Sequence, residues 1–428
     1  MQRHPIGLVG WGVVGGGVVE ILARDRRLFL DRCGIDLQLK TIVVARPERK
    51  RAQDPGDALV TNKLATILTD HEIKTVIHLV PGTTDARDIC LALLNAGKHV
   101  VTANKALLAE HGDELFAIAA QRGVCIAFEA AVAGGVPVIA GLRDGLVANR
   151  IETICAILNG TCNFILTKME DDRKSYADAL AEAKQLGYAE ADPTLDVNGH
   201  DTAHKLALLA RIAFLVRVPV LDIRCQGIQE ITAQDIASAR TMGSRIKLLA
   251  VAQARPEGLT LSVAPTLVPI GHPLASVSRN YNGVYIVGDA SGPMLFVGQG
   301  AGALPTASSI LADVMSLAAG SYQATAKAFQ FFSPERQWTL VTKQREISAR
   351  YARFVVPDRA GILAGITNSL SANGVSILSI HQGAPGGDGR ATIEVITHPL
   401  DALHFASAIA SIDASGLTLE ATVSYRSL

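Results

Sequence analysis

Short apolar runs rich in β-branched residues punctuate the chain from residue 6 to about 130. They fall at Ile6–Val9, Leu39–Val44, Thr75–Val80, His99–Thr102 and Val124–Phe128, and predict strands. Between them lie segments such as Gly17–Arg26 and Ala86–Ala96, whose apolar residues recur at three- and four-residue spacing and predict helices. Strand and helix in alternation imply right-handed crossovers and a mostly parallel, doubly wound sheet, a Rossmann-like α/β unit.

After residue 134 the texture changes. Longer helical patterns (Tyr176–Leu186, Asp201–Phe214, Ala233–Ala239) mix with strand patterns at Ile151–Leu158, Leu259–Pro265, Gly283–Asp289 and Pro293–Val297, which predicts a separate α+β domain. Gly300–Leu317 reads as a glycine-rich turn followed by a helix. The stretch Phe331–Ser348 is polar and has no sustained period, so a linker is expected there. Beyond it come strand (Tyr351–Val356), helix (Ile362–Ala372), strand (Ser376–Gln382), glycine-rich turn (Gly386–Gly389), strand (Arg390–Thr397), helix (Asp401–Ser411) and strand (Glu420–Tyr425). That order, βαββαβ, is the ferredoxin-like split unit.

At 428 residues the chain is too long for a single core. Lys and Arg together number 40, as do Asp and Glu, so no global field would draw the protein to nucleic acid or to a membrane surface. The six cysteines are scattered, without a CxxC pair or metal-ligand spacing, which points to reduced thiols. The N-terminus enters an apolar strand with no room for a signal segment, and no apolar run reaches the roughly 18–20 residues a membrane helix needs. A cytoplasmic protein is expected.

The sequence Gly10-Trp11-Gly12-Val13-Val14-Gly15 follows the first strand and opens the first helix. In that position Gly10 permits the tight turn, Gly12 lets a pyrophosphate approach the backbone, and Gly15 lets helix and strand pack closely, while the helix N-terminus supplies amides. A merely tight turn is the plain alternative. After the second strand, where an acidic residue usually meets the ribose of NAD, the chain reads Val44-Ala45-Arg46-Pro47-Glu48-Arg49-Lys50-Arg51. This cluster favours NADP(H) over NAD(H), with a solvated basic turn as the alternative.

Asp201 and Lys205 stand four apart at the start of a mostly apolar helix and share one face beside a core. They are either a surface ion pair or a catalytic one, since partial burial of a lysine lowers its pKa and suits it to proton transfer. Lys105 lies just past a strand end, in the crevice where doubly wound sheets hold ligands. It is otherwise an exposed loop lysine.

Five separated segments, in order, resemble homoserine dehydrogenases: Lys98-His-Val-Val-Thr102-Ala-Asn104-Lys105, Leu158-Asn-Gly160-Thr161-Cys-Asn, Gly187-Tyr-Ala-Glu190-Ala-Asp192-Pro, Gly199-His-Asp201-Thr-Ala-His-Lys205, and the block from His272 through Gly288 to Thr306. The resemblance implies hydride transfer between a nicotinamide and the C4 carbon of L-homoserine, giving L-aspartate 4-semialdehyde. It assigns Lys205, Lys105 and Asp201 to catalysis, and Glu190, Asp196, Gly160 and Thr161 to the substrate, the two acids holding its α-ammonium group. Gly10, Gly12, Val13, Val14, Gly15, Arg46, Thr102, Asn104 and Lys105 fall to the cofactor. Glu129, Val132, Gly134 and Val136 resemble a loop that holds a monovalent cation, Na or K, in some members, where a domain hinge is the alternative. A homodimer or homotetramer is implied as well.

With the helix after Gly300 returning to the first unit, as the resemblance implies, the expected division is 1–133 with about 303–330, then 134–302 for substrate and dimerisation, a linker over 331–348, and 349–428. One stretch departs from the family's pattern. Ile77-His78-Leu79-Val80-Pro81-Gly82 has a histidine where an acid is usual and Pro81 where a glycine is usual. His78 reads as a strand residue with its hydrogen bonds satisfied.

Pro357-Asp358-Arg-Ala-Gly361-Ile-Leu and Leu370-Ser-Ala-Asn-Gly-Val-Ser-Ile377 resemble the ACT domain, a small amino-acid-binding unit. Asp358 and Gly361 lie at its first strand–helix turn, where an effector such as threonine would be received; a unit that only dimerises is the alternative. Two other functions fit the same chain: an inactive amino-acid sensor, or a dehydrogenase of another small amino or hydroxy acid.

Overall fold

The computed structural model describes residues 2–328, 338–341, 346–383 and 389–428. Six strands form the first sheet: β1 (Gln2–Val9), β2 (Ile35–Val43), β3 (Leu59–Thr61), β4 (Thr75–His78), β5 (His99–Thr102) and β6 (Ile126–Ala127). Their order is β3-β2-β1-β4-β5-β6, every neighbour parallel. β4 is buried throughout, and β1, β2 and β5 over at least half of their lengths, under helices on both faces, as a parallel sheet requires. β1 begins four residues before its apolar run because its polar start still pairs with β2, Arg3 opposite Asp36.

The first helix runs Val13–Cys33, well beyond the apolar stretch that announced it. Its start is masked in the sequence by three glycines, poor helix formers, that packing requires. A Cβ on Gly17 would stand 2.5 Å from the carbonyl of Ala303. There the helix Ala303–Ala318 crosses and buries Ala307, Ile310, Leu311 and Val314 in the core of the first sheet.

The second sheet is mixed. It contains β7 (Ile151–Ile157), β8 (Arg224–Cys225), β9 (Ser244–Arg255), β10 (Gly258–Pro269), β11 (Tyr281–Gly288), β12 (Gly292–Gln299), β13 (Ile347–Pro357), β14 (Ile377–Gln382), β15 (Arg390–Thr397), β16 (Leu400–Asp401) and β17 (Val423–Ser427). The order is β12-β11-β7-β9-β10-β17-β13-β15-β14, with β8 on β10 and β16 on β13. β9 went unannounced because it is buried on both faces over most of its length and shows no alternation.

The C-terminal unit has the ferredoxin-like order β17-β13-β15-β14, yet its sheet does not stand alone. β17 pairs in parallel with β10, Arg426 opposite Thr266 and Ser427 opposite Leu267. Across the same seam the Arg353 guanidinium holds the fully buried Asp235 at 2.7 and 3.0 Å, and Tyr425 donates to that carboxylate at 3.2 Å. Within the expected linker, Leu340 bridges to Leu259 and the Trp338 indole donates to the Phe214 carbonyl at 2.7 Å. Residues 331–337 and 342–345 of that linker, and all of the predicted turn except Gly389, lie outside the described residues.

Candidate active site

At the C-terminal end of β1 the chain turns through Gly10, whose φ of 97° lies in the left-handed region. A Cβ there would meet the Leu79 carbonyl at 2.6 Å, and one on Gly15 would meet the Gly10 carbonyl at 2.6 Å. Gly12 differs: nothing lies within 4 Å of its Cβ position. No side chain caps the helix that follows, and Val13 is 77% exposed. The first turn of this helix is therefore uncapped beside the open Gly12, with a positive dipole end behind it, a seat for a pyrophosphate.

Arg51 folds back over this loop, its guanidinium 4.9 Å from the Trp11 ring centroid and 3.3 Å from the Trp11 carbonyl. It also donates to the carbonyls of Arg49 and Arg46. Arg51 thus shapes the basic turn, while the side chains of Arg46, Arg49 and Lys50 stay exposed.

At the ends of β4 and β5 the crevice is held by Asn104. Its side-chain oxygen caps the helix Lys105–Arg122 by accepting from the Leu107 amide, and its nitrogen donates to Val80 and Gly82 at 3.0 and 2.7 Å. The buried Thr102 hydroxyl accepts from the Asn104 amide. The departure at Val80–Gly82 is therefore pinned to the crevice.

His78 sits on β4 but corrects the expectation that its ring is satisfied. It is fully buried, and among the described residues neither ring nitrogen has a hydrogen-bond partner. Burial pushes its pKa down to about 4.

Asp201 is the hub. It lies in the first turn of the helix His200–Phe214, entered through Gly199 at φ 89°, and is 8% exposed. The Lys205 ammonium approaches Oδ2 at 2.7 Å and donates to the Leu158 carbonyl at 2.7 Å. Lys105, the first residue of a helix in the other unit, approaches Oδ1 at 3.1 Å. Burial pushes the Asp201 carboxyl up, but the charges of Lys205 and Lys105 outweigh it and hold the pKa well below the usual range. The bland reading of an exposed ion pair fails for Asp201 and Lys205, since both side chains are nearly buried.

Asn159, absent from the sequence-based expectations, completes the cluster. Its amide donates to Asp196 at 2.8 Å and to Asp201 at 2.9 Å, and its oxygen caps the helix Gly160–Asp171 at Cys162. An asparagine before a helical glycine signals a cap; nothing in the sequence signals the two distant carboxylates. Burial, then the Asp201 charge, raises the pKa of Asp196. Gly160 is obligatory, because a Cβ would meet the Asn280 carbonyl at 2.7 Å.

The Thr161 hydroxyl donates to the Tyr188 carbonyl at 2.6 Å, anchoring the loop on which Glu190 lies exposed. The structure thus gathers Lys105, Lys205, Asp201, Asp196 and Asn159 and leaves Glu190 on the surface beside them. Two ammonium groups sharing one carboxylate, half in and half out of water, can polarise a carbonyl and pass a proton to it.

The Glu129 segment is arranged differently from a cation loop with a free carboxylate. Both Glu129 oxygens accept backbone amides, Ile139 at 2.8 Å and Ala140 at 2.7 Å. The Glu129 amide in turn donates to Asp313 at 2.8 Å. The turn through Ala133 and Gly134 is left-handed and packs on Gly300, where a Cβ on Gly134 would stand 2.4 Å from the carbonyl. In the C-terminal unit, Asp358 and Gly361 lie exposed at the first turn, with nothing within 4 Å of the Gly361 Cβ position.

Comparison with known proteins bears on this arrangement. The sequence pattern of the family described as "Homoserine dehydrogenase" matches residues 137–315, that of "Homoserine dehydrogenase, NAD binding domain" matches 10–129, and that of "ACT domain" matches 350–415. The chain is 41% identical to a homoserine dehydrogenase of Pseudomonas aeruginosa, covering 97% of this chain and 96% of that one. It is 36% identical to one of Bacillus subtilis, covering 100% and 98%. Among solved structures, a homoserine dehydrogenase from Thiobacillus denitrificans superposes with a TM-score of 0.93 at 37% identity, covering 100% of this chain and 99% of that one.

Proposed function

The chain belongs to the homoserine dehydrogenase family, and on that premise we propose how its residues divide the work. The family is one of oxidoreductases of amino-acid biosynthesis that interconvert L-homoserine and L-aspartate 4-semialdehyde with a nicotinamide cofactor. When bound, the cofactor takes or gives the hydride.

The first-turn amides of Val13, Val14 and Gly15, with Gly10 and Gly12 in the turn, receive its pyrophosphate. Thr102, Asn104 and Lys105 flank the nicotinamide end. The exposed Arg46 favours a 2′-phosphate, hence NADP(H) over NAD(H).

Lys205 Nζ holds and moves the proton at the C4 oxygen of the substrate, and Lys105 polarises the same oxygen. Asp201 keeps both ammonium groups at the reacting centre. Asp196, whose second oxygen Asn159 leaves open, takes the substrate's α-ammonium group with Glu190, and the amides of Gly160 and Thr161 at a helix start take its carboxylate. The observation that carries this reading is the meeting of Lys105 and Lys205, from two different units, on opposite oxygens of one buried carboxylate.

The test is absorbance at the reduced-nicotinamide band with L-homoserine, using NADP and then NAD, in wild type and Lys205→Ala. Homoserine-dependent reduction that disappears in the variant supports the assignment. A variant that turns over at the wild-type rate overturns it.

We divide the chain functionally into 1–133 with about 303–330 for the cofactor, 134–302 for substrate and dimerisation, a connection over 331–348, and 349–428 for regulation by an amino acid, threonine, at Asp358 and Gly361. A monovalent cation at residues 129–136 would rest on Glu129, whose oxygens also accept two amides, and on the backbone carbonyls of Val132, Gly134 and Val136; no step runs through it. Apolar residues on the outer strands of the long sheet, Leu295 and Val297 on β12 and Leu378 and Ile380 on β14, are exposed and support pairing of copies into a homodimer or homotetramer. None of the six cysteines forms a disulfide, which supports a cytoplasmic location. Among the described residues no helix is long and apolar enough to cross a membrane.

A further inference from the structure

A cavity of about 260 Å³ opens at the seam between the catalytic and C-terminal units. Its apolar wall includes Val218, Leu261 and Leu340, and its polar wall holds Arg224, Asp222 and Glu346. It lies away from both the Asp201 cluster and the exposed Asp358 turn. Known ligand pockets for drug-sized molecules run from about 300 to 1,000 Å³, so an occupant here is small.

The charges around the cavity are unbalanced. Glu346 is buried and accepts Arg426 at 2.8 Å and, more loosely, Arg350 at 3.4 Å. Arg224 lies close enough to the Arg350 guanidinium to repel it, and among the described residues it has no carboxylate partner. The Nε atoms of Arg350 and Arg426, both side chains buried, have no acceptor either. Two guanidinium groups therefore share the Glu346 carboxylate while Arg224, on the cavity wall, has none, an arrangement that an incoming carboxylate would complete. The cavity also presents a carboxylate to a cation, from the exposed Asp222. Opposite charges lining one small cavity beside an apolar wall match the head and the side chain of a free amino acid.

We propose that this cavity binds a small zwitterionic amino acid, its carboxylate received by Arg224 and its ammonium group by Asp222. The walls of the cavity adjoin both ends of the catalytic helix. On β8, Arg224 is followed by Cys225, whose sulfur lies 4.0 Å from the carbonyl of Gly199, two residues before Asp201. The space above Gly199 is closed by Val263 at 3.1 Å, so a shift of β8 against β10 moves the helix start. At the other end Val218 lies four residues beyond Phe214, whose carbonyl accepts the Trp338 indole two residues before Leu340. Occupation of the cavity thus bears on the helix that carries Asp201 and Lys205. This site goes beyond the effector reading for Asp358 and Gly361, because it is a different surface with its own charges.

The test is calorimetric titration of the full chain with L-threonine and L-valine, and with propionate and ethylamine as the two halves of the zwitterion, so the readout does not depend on turnover. At least one amino acid binds, and each half alone binds at least about tenfold more weakly. Arg224→Gln and the cavity-filling Leu261→Phe each weaken binding about tenfold or more. Lys205→Ala leaves it within about twofold, which separates this cavity from the active site, and any L-threonine binding that Asp358→Asn removes while Arg224→Gln does not belongs to the turn. Thermal unfolding of each variant reports its folding, and if one fails to fold the other decides. Equal affinity in the folded Arg224→Gln or Leu261→Phe protein overturns the proposal, as does the absence of any binding tighter than about 10 mM.

Discussion

The Lys205 ammonium lies 2.7 Å from Oδ2 of Asp201, one turn earlier on the same helix. Spacing alone puts the two on one face, but burial decides what the pair is for. A solvated pair at this spacing contributes a few tenths of a kcal/mol. Here the carboxylate also holds Lys105 from the other unit. Asp201→Asn is isosteric and removes the charge that steadies both ammonium groups, so kcat falls about 10²-fold or more, while circular dichroism stays that of the wild type. Steady-state rates with L-homoserine check this; a loss below about threefold would show that the carboxylate is not part of the reacting centre.

Coenzyme choice rests on the exposed turn after β2. Arg46→Ala removes a cation available to a 2′-phosphate but touches nothing an unphosphorylated ribose would need. KM for NADP rises roughly tenfold, about 1.4 kcal/mol, and KM for NAD stays the same. Initial rates with both coenzymes measure the ratio, and equal changes in both would contradict the assignment.

Asp313 is the buried acid behind Glu129. Burial first, then the Glu129 charge, pushes its pKa up to about 8. A folded pKa above the unfolded value near 3.8 means that its contribution is fully present below that value and is lost as pH rises through about 8. Asp313→Asn keeps an acceptor for the Glu129 amide and has no proton to lose. The variant's stability relative to wild type therefore improves between pH 6 and pH 9, by roughly 1–3 kcal/mol. Urea unfolding at the two pH values checks it, and parallel losses in both proteins would refute the assignment.

His78 has the opposite sign. Its folded pKa of about 4 lies below the ordinary value of 6.5, so its contribution is present above 6.5 and is lost as pH falls through about 4. An unsatisfied buried polar group also costs about 1–3 kcal/mol at any pH. His78→Leu should be at least as stable as wild type at pH 7.5 and should gain on it by about 1 kcal/mol or more at pH 5. A midpoint difference that does not grow between those pH values would show that the ring finds a partner.

Much of the first unit was legible because a parallel sheet writes itself as short apolar runs separated by helices. β5 was expected at His99–Thr102 and lies there. The Gly10 to Gly15 turn could be read for the same reason: each glycine answers a local demand. β9 was invisible because burial on both faces erases the alternation that marks a strand. The site was legible in pieces only. The four-residue spacing showed that Asp201 and Lys205 share a face, but the approach of Lys105 and the bridge through Asn159 depend on how two units pack, which no local pattern records. Glu129 was expected as a cation ligand, and no sequence pattern told that its oxygens also accept the amides of Ile139 and Ala140.

The joining of β17 to β10 makes the chain's covalent connection redundant. Thr266 lies opposite Arg426 although 160 positions separate them in sequence, and the Arg353–Asp235 ion pair ties the same two bodies. A protease that cuts between Ala328 and Ile347 would therefore yield two fragments that travel together until denaturant separates them. The C-terminal unit then behaves less as a module appended to an enzyme than as the remaining strands of that enzyme's own sheet.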